Sequence, residues 1–194
     1  MELMTAVRVA PRSFVVLAGL PGAGKTTMLA RLETDGDAAV VLDSDQVRAK
    51  LRATFPARLP YRYYRPLVHL LHRLRVLFVA ISGVGTLVVH EPSTRPTTRA
   101  ALVAVGALTG RRRHFLWLDS TAEEALAGQV ARGRLVRGHA FARHARRARY
   151  LRERFLDGWV PRGWHASTVL HRDDRLRLFV TGGRPGSSPL DPSG

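Results

Sequence analysis

Residues 19–26 read GLPGAGKT, a glycine-rich stretch that ends in a lysine and a threonine. It matches the pattern G-x-x-x-x-G-K-[ST] at each fixed position. Its glycines leave the backbone free to turn consecutive amides inward, where they can surround phosphate oxygens. Lys25 can place its ammonium on the outer phosphates, and the Thr26 hydroxyl can ligate magnesium. The stretch predicts a Walker A loop that holds a nucleoside triphosphate.

The sequence on either side of this loop fits the same prediction. Residues 13–18 (SFVVLA) form a short β-rich apolar run, and residues from 26 to about 33 read as a helix. A helix N-terminus directly after the loop favours a bound anion. A glycine turn that merely joins a strand to a helix is the alternative. The predicted nucleotide contacts are Gly19, Leu20, Pro21, Gly22, Ala23, Gly24, Lys25, Thr26 and Thr27.

Length and composition indicate one globular domain. The chain has 194 residues, 45% of them hydrophobic, and no cysteine, which excludes disulfides, thiolate zinc sites and a cysteine nucleophile. No uncharged run reaches the roughly 20 residues of a membrane-spanning helix. We therefore expect a soluble, cytoplasmic protein with no membrane partner. Residues 1–180 are expected to form the domain, and residues 181–194, rich in Gly, Pro and Ser, a mobile tail.

The charge is strongly positive, at +16, and all but two of the 31 basic residues are arginine. Arginine makes bidentate contacts with phosphate, so a nucleic-acid or phosphorylated partner is one interpretation. The other is a solvated basic surface, which the even spread of the arginines and an aromatic content of only 7% favour.

Strand-like and helix-like segments alternate along the chain, which predicts an α/β fold with a mostly parallel sheet. Residues 55–65, with two prolines and three tyrosines, read as an irregular loop before a helix that Pro66 opens. The predicted later strands cover residues 38–42, 85–90 and 113–118, with one or two edge strands at 167–171 and 175–180.

The end of the second predicted strand carries Asp43, Ser44 and Asp45. Ligands of parallel sheets bind beyond the carboxyl ends of the strands. There, Asp45 could accept a proton from an attacking hydroxyl, while Arg48, one helical turn later, could hold an anion of the acceptor. Asp43 is expected to orient other groups or to bind magnesium, directly or through water. Alternatively, the two aspartates only cap the helix, with Ser44 as a further candidate cap, and Arg48 only pairs with an acid.

Two motifs resemble those of a known family. GLPGAGKTT at residues 19–27 and VVLDSDQVR at residues 40–48 are similar to motifs of the AAA-type small P-loop kinases grouped with polynucleotide 5′-kinase and the zeta-toxin kinases. The resemblance implies a P-loop NTPase three-layer sandwich, about five parallel strands, a helical lid and an ATP–magnesium donor. It places Asp45 as general base and Arg48 as the acceptor-binding residue.

The resemblance also implies a lid, for which residues 132–143 (RGRLVRGHAFAR) are the candidate. Lid arginines would neutralise charge on the transferring phosphate. Arg132, Arg134 and Arg137 are the predicted catalytic arginines, although any one of them could equally belong to a solvated surface.

The third strand departs from the family pattern. It ends in His90 and Glu91, where a Walker B strand usually ends in an aspartate. We expect Glu91 to serve magnesium through a water molecule, so the predicted metal set is Thr26, Asp43 and Glu91.

Together these features predict an ATP-dependent kinase that phosphorylates a hydroxyl of a small-molecule or nucleotide-like acceptor. A polynucleotide 5′-hydroxyl kinase is the alternative within enzymes. A non-catalytic ATP-binding regulatory module is the alternative of another class. The sequence leaves the acceptor and the oligomeric state open.

Overall fold

Eight strands and six helices are defined in the computed structural model, which describes residues 4–35, 39–56, 58–133 and 138–181. The strands are β1 (Met4–Val9), β2 (Phe14–Ala18), β3 (Glu33–Asp35), β4 (Val40–Asp43), β5 (Leu87–His90), β6 (Arg113–Leu118), β7 (Ala166–Leu170) and β8 (Arg175–Val180). The helices are α1 (Lys25–Ala30), α2 (Ser44–Thr54), α3 (Tyr61–Ser82), α4 (Pro96–Leu108), α5 (Ala122–Ala131) and α6 (Gly138–Leu156).

A five-stranded sheet with the order β4-β5-β2-β6-β7 forms the centre of the fold, and every neighbouring pair is parallel. Every residue of β2 is fully buried, because helical crossovers cover both faces of a parallel sheet. This is the three-layer α/β sandwich that the sequence predicted. Because β4, β5 and β2 are adjacent and parallel, their carboxyl ends meet at one edge.

A second, three-stranded sheet with the order β1-β8-β3 was not predicted. Its strands are also parallel, and Val7 of β1 lies opposite Leu178 of β8. Residues 175–180 were expected at an edge, but β8 is the central strand of this small sheet. The reason is its pairing with β1, more than 160 residues away along the chain, which no local pattern reveals.

Helix α3 begins at Tyr61 and not at Pro66, so the prediction of an irregular loop up to residue 65 is wrong. Pro66 lies inside the helix, although proline removes one backbone hydrogen bond there. Tyr64 and Val68 are buried in a small apolar cluster with Val47 of α2. Burial of this face offsets the missing hydrogen bond.

Helix α6 buries Ala148, Leu151 and Phe155 on one face. Phe155 stacks on Phe115 of β6, with ring centroids 5.1 Å apart. Helix α6 therefore packs on the central sheet, and its arginines are exposed or half-buried. Among the described residues, the structure contains no helix with the length and apolar character needed to cross a membrane.

Candidate active site

The predicted phosphate-binding loop connects β2 to α1, at the carboxyl edge of the central sheet. Gly22 has φ of +97°, and a Cβ at this position would lie 2.0 Å from the carbonyl oxygen of Ala125. Gly24 is the N-cap of α1 and is also left-handed. Gly22, at a variable position of the motif, and Gly24, at a fixed one, both therefore sit where a side chain would be strained or would collide.

Lys25 lies inside this loop, and its side chain is almost completely buried. Its Nζ donates hydrogen bonds to the carbonyl oxygens of Gly19 and Leu20, at 2.9 and 2.7 Å. Burial lowers the pKa of Lys25 to about 7, although the carboxylates of Glu91 and Asp43 act in the opposite direction. Lys25 is thus a poorly solvated cation that a phosphate anion would stabilise.

Asp43 and His90 end the neighbouring strands β4 and β5 and lie opposite each other in register. Oδ2 of Asp43 is 2.8 Å from Nδ1 of His90, and Oδ1 accepts a hydrogen bond from the Asp45 amide at 2.9 Å. Burial would raise the pKa of Asp43, but these hydrogen bonds bring it below its ordinary value. Asp43 is the N-cap of α2, so the suggested cap at Ser44 is wrong. Because both carboxylate oxygens of Asp43 already contact protein groups, Asp43 is suited to orienting its neighbours.

Asp45 and Arg48 face each other on the first turns of α2. Their side chains approach to 4.0 Å, and the Arg48 guanidinium lies over the ring of Tyr61 at 4.1 Å. Both side chains keep access to solvent, with exposed fractions of 41% for Asp45 and 23% for Arg48. This pair is therefore ordered by its neighbours and still open to a ligand.

Glu91 lies directly after β5, on the segment that borders the phosphate-binding loop. Its backbone amide donates to Leu17, and the Gly19 amide donates to Pro92. Burial raises the pKa of Glu91, while nearby Arg73 and Lys25 lower it. The Glu91 carboxylate is therefore electrostatically coupled to Lys25.

The chemistry of these donors fits magnesium. In the described ranges, no cluster of three or more His, Cys, Asp or Glu side chains forms a protein-only metal cage. Magnesium commonly uses one or two carboxylates together with substrate phosphates and water, so such a cage is not needed. Thr26 follows Lys25 in the first turn of α1, and the carboxylates of Asp43 and Glu91 both act on Lys25. The three residues stay our prediction for the magnesium ligands.

Of the predicted lid arginines, Arg132 is placed next to the phosphate-binding loop. It follows α5, and its Nη2 donates to the Thr27 hydroxyl at 2.9 Å. Arg134 and Arg137 lie outside the described residues. A catalytic role for any of the three remains a prediction.

Two residues of α5 that the sequence reasoning missed support the loop directly. Gln129 is buried, and its side-chain amide donates to the carbonyl oxygen of Pro21 at 2.8 Å. A Cβ on Gly128 would lie 2.3 Å from the carbonyl oxygen of Gly22. Gly128 lies inside α5, and a glycine inside a helix is the local sequence signal for such a close approach.

Replacing Gly128 by alanine should weaken ATP binding about tenfold or more, because the new methyl group would push the loop backbone out of place. Titration of ATP against the variant measures the effect. Ala127→Ser, at an exposed position of the same helix, is the control and should bind ATP like wild type. Equal ATP affinity in Gly128→Ala and wild type would contradict the proposed packing.

Comparison with known proteins agrees with this geometry. Residues 14–156 match the model of a family described as AAA domain. No curated protein matches the sequence significantly. Among solved structures, the chain is similar to one from the PezAT chromosomal toxin–antitoxin system of Streptococcus pneumoniae, with 14% identity and a TM-score of 0.56 over 89% of this chain and 70% of that one.

Two further structures share the fold at low identity. A candidate kinase from Chloroflexus aurantiacus has 11% identity and a TM-score of 0.56, over 82% of this chain and 87% of that one. A chain of the Pnkp1/Rnl/Hen1 RNA repair complex has 18% identity and a TM-score of 0.57, over 76% of this chain but only 47% of that one. The chain belongs to the AAA domain family, and its fold is that of the small P-loop kinases.

Proposed function

We propose that the protein is an ATP-dependent kinase that transfers the γ-phosphate to a hydroxyl of a small-molecule or nucleotide-like acceptor. The observation that carries the proposal is the buried Lys25, held in a glycine loop and acted on by the carboxylates of Asp43 and Glu91. The Asp45–Arg48 pair lies on the first turns of α2, directly after β4. An ATP-consuming protein without cysteine fits the cytoplasm, where we expect it to act.

In the proposed reaction, the acceptor oxygen attacks the γ-phosphorus and the bond to the β,γ-bridging oxygen breaks. Asp45 takes the proton of the hydroxyl, ADP leaves, and Arg48 holds the acceptor. Lys25 and Arg132 are positioned to offset negative charge on the phosphoryl oxygens. Magnesium, held by Thr26 with Asp43 and Glu91, would neutralise the β- and γ-phosphates when it is bound.

A cavity of about 440 Å³ beside the loop is our candidate for the nucleoside part of ATP. It lies between the start of α5 and the face of α6. Leu20 connects it to the phosphate-binding loop, and Arg146 and Arg149 contribute cationic groups at its wall. An arginine guanidinium can stack on an aromatic base, which suits a purine in this place.

Replacing Asp45 by asparagine should lower kcat about a hundredfold, because the loose transition state of phosphoryl transfer limits what a general base contributes. ADP release and phosphorylated product are followed across a panel of alcohols, sugars, nucleosides and oligonucleotides. Asp157→Asn, at an exposed position near the end of α6, is the control and should behave like wild type. An Asp45→Asn variant with full kcat would remove Asp45 from the role of base.

The charge of +16 favours a second candidate, a polynucleotide 5′-hydroxyl kinase. Labelling of oligonucleotide ends, with binding that weakens steeply as salt rises, would select it over a small-molecule kinase. Tight ATP binding with no phosphorylated product from any acceptor would instead indicate the regulatory module.

A further inference from the structure

A cavity of about 300 Å³ opens between α3, α4 and β5. Most of its wall is aliphatic. The apolar lining residues are Leu74, Val76, Leu77, Val89, Ala101, Leu102 and Val105. The polar lining residues are His72, Arg73 and Glu91, together with Thr97 and Thr98 in the first turn of α4. The cavity is therefore mostly apolar, with a few polar groups in its wall.

His72 is the observation that points to a ligand here. Its side chain is 99% buried, with 1% exposed, yet neither ring nitrogen has a hydrogen-bond partner in the described part of the chain. Unpaired buried polar atoms are costly, and those of native proteins usually find a partner. Burial lowers the pKa of His72 to about 4, so the ring is neutral at pH 7 and can exchange a hydrogen bond with an uncharged group.

Glu91 relates the cavity to the predicted phosphate site. Glu91 belongs to the cavity wall, and its carboxylate interacts electrostatically with Lys25. His72 likewise interacts with Asp43, the residue that caps α2. A molecule whose apolar part fills the cavity would therefore present its polar end to the residues around Lys25.

We propose that this cavity binds the acceptor, and that the acceptor is an alcohol with an apolar body. The aliphatic wall takes the body, and His72 forms a hydrogen bond with a polar group of the acceptor beside Glu91. The reacting hydroxyl is still the one whose proton Asp45 takes in the proposed reaction. This inference rests on the proposed kinase function and gives it a substrate class.

Binding of simple alcohols tests the cavity without any turnover. Ligand-observed NMR with 1-butanol, 1-pentanol and 1-hexanol, in the absence of ATP, should show affinity rising up to about fourfold per methylene. Ala101→Trp, at an exposed rim position of α4, should fill the cavity and weaken 1-hexanol binding at least tenfold. Leu108→Trp is the control, because Leu108 is on the same helix, 85% exposed, and outside the cavity.

Two further variants test the same cavity in case Ala101→Trp does not fold. Thr97→Trp closes the same cavity from another exposed position. His72→Phe keeps an aromatic ring and should lower 1-hexanol affinity about two- to tenfold through the lost hydrogen bond. No binding of 1-hexanol to the wild-type protein, or equal binding by both tryptophan rim variants, would overturn the inference.

Kinetic measurements with the acceptor distinguish an error in the assignment of this cavity from an error in the kinase proposal. With the acceptor identified, Ala101→Trp should raise its KM at least tenfold and leave the KM of ATP unchanged. A phosphorylated acceptor whose KM is untouched by Ala101→Trp would overturn the inference and leave the kinase standing. Alcohol binding that follows the expected pattern, with no phosphorylation of any acceptor, would refute the kinase and retain the cavity as a site for apolar alcohols.

Discussion

Replacing Lys25 by methionine is expected to reduce kcat/KM about a thousandfold. Methionine keeps much of the length and volume of the side chain but removes the cation that would contact the transferring phosphate. Burial of Lys25 lowers its pKa to about 7, so the ammonium weakens the ligand-free fold, and the variant should melt no lower than wild type. Rates with a saturating acceptor, together with thermal melts, separate a catalytic loss from unfolding. Wild-type turnover by the variant would refute the kinase proposal.

The same lysine gives ATP binding a defined pH dependence. A bound phosphate raises the pKa of Lys25 above its ligand-free value of about 7. The contribution of Lys25 to ATP affinity is then complete below pH 7 and declines as pH rises through the higher pKa of the bound state. Affinity measured from pH 6 to 9 should fall with pH in wild type by more than in Lys25→Met. Parallel curves for the two proteins would show that Lys25 does not contact the phosphates.

Replacing Arg111 by methionine is expected to destabilise the fold by about 3 to 5 kcal/mol. The Arg111 side chain is fully buried, and its guanidinium donates to the carbonyl oxygens of Ala80, Gly83 and Gly85. These hydrogen bonds fix the end of α3 to the start of β6. Methionine fills a similar volume but leaves the three acceptors without this donor. Chemical unfolding measures the change, and a thermal melt should drop by roughly 10 °C.

Arg112→Met is the matched control for Arg111→Met. The neighbouring side chain is exposed, so its loss should change the free energy of unfolding by less than about 0.5 kcal/mol. Similar stability of the two variants would contradict the assignment of Arg111 as a buried clamp.

Some features could be predicted from the sequence because their causes are local. The loop from Gly19 to Thr26 carries its own glycines, lysine and hydroxyl, and the alternation of strands and helices is visible as a change of apolar period. Asp45 and Arg48 are one turn apart on any helix, so their pairing required no tertiary information. The α/β sandwich and the central features of the candidate site follow from these patterns.

Other features depend on partners that are distant along the chain. Nothing in the sequence near Met4–Val9 indicates that this strand pairs with β8. Likewise, the sequence of the three arginines at residues 111–113 does not indicate which of them is buried and which is exposed. Arg111 is a buried clamp, and Arg113 donates to the carbonyl oxygen of Gly163, while Arg112 faces solvent. Some of the strong positive charge is therefore structural, which composition alone could not reveal.

The sequence by itself determined the phosphate-binding loop, the α/β class and the acidic and basic pair after the second strand, because each is encoded within a few consecutive residues. Only the tertiary structure decided that α5 supports the loop through Gly128 and Gln129, and that His72, with no hydrogen-bond partner among the described residues, lines a mostly apolar cavity. Burial and close packing depend on which distant segments meet. They become visible only when the whole chain is folded.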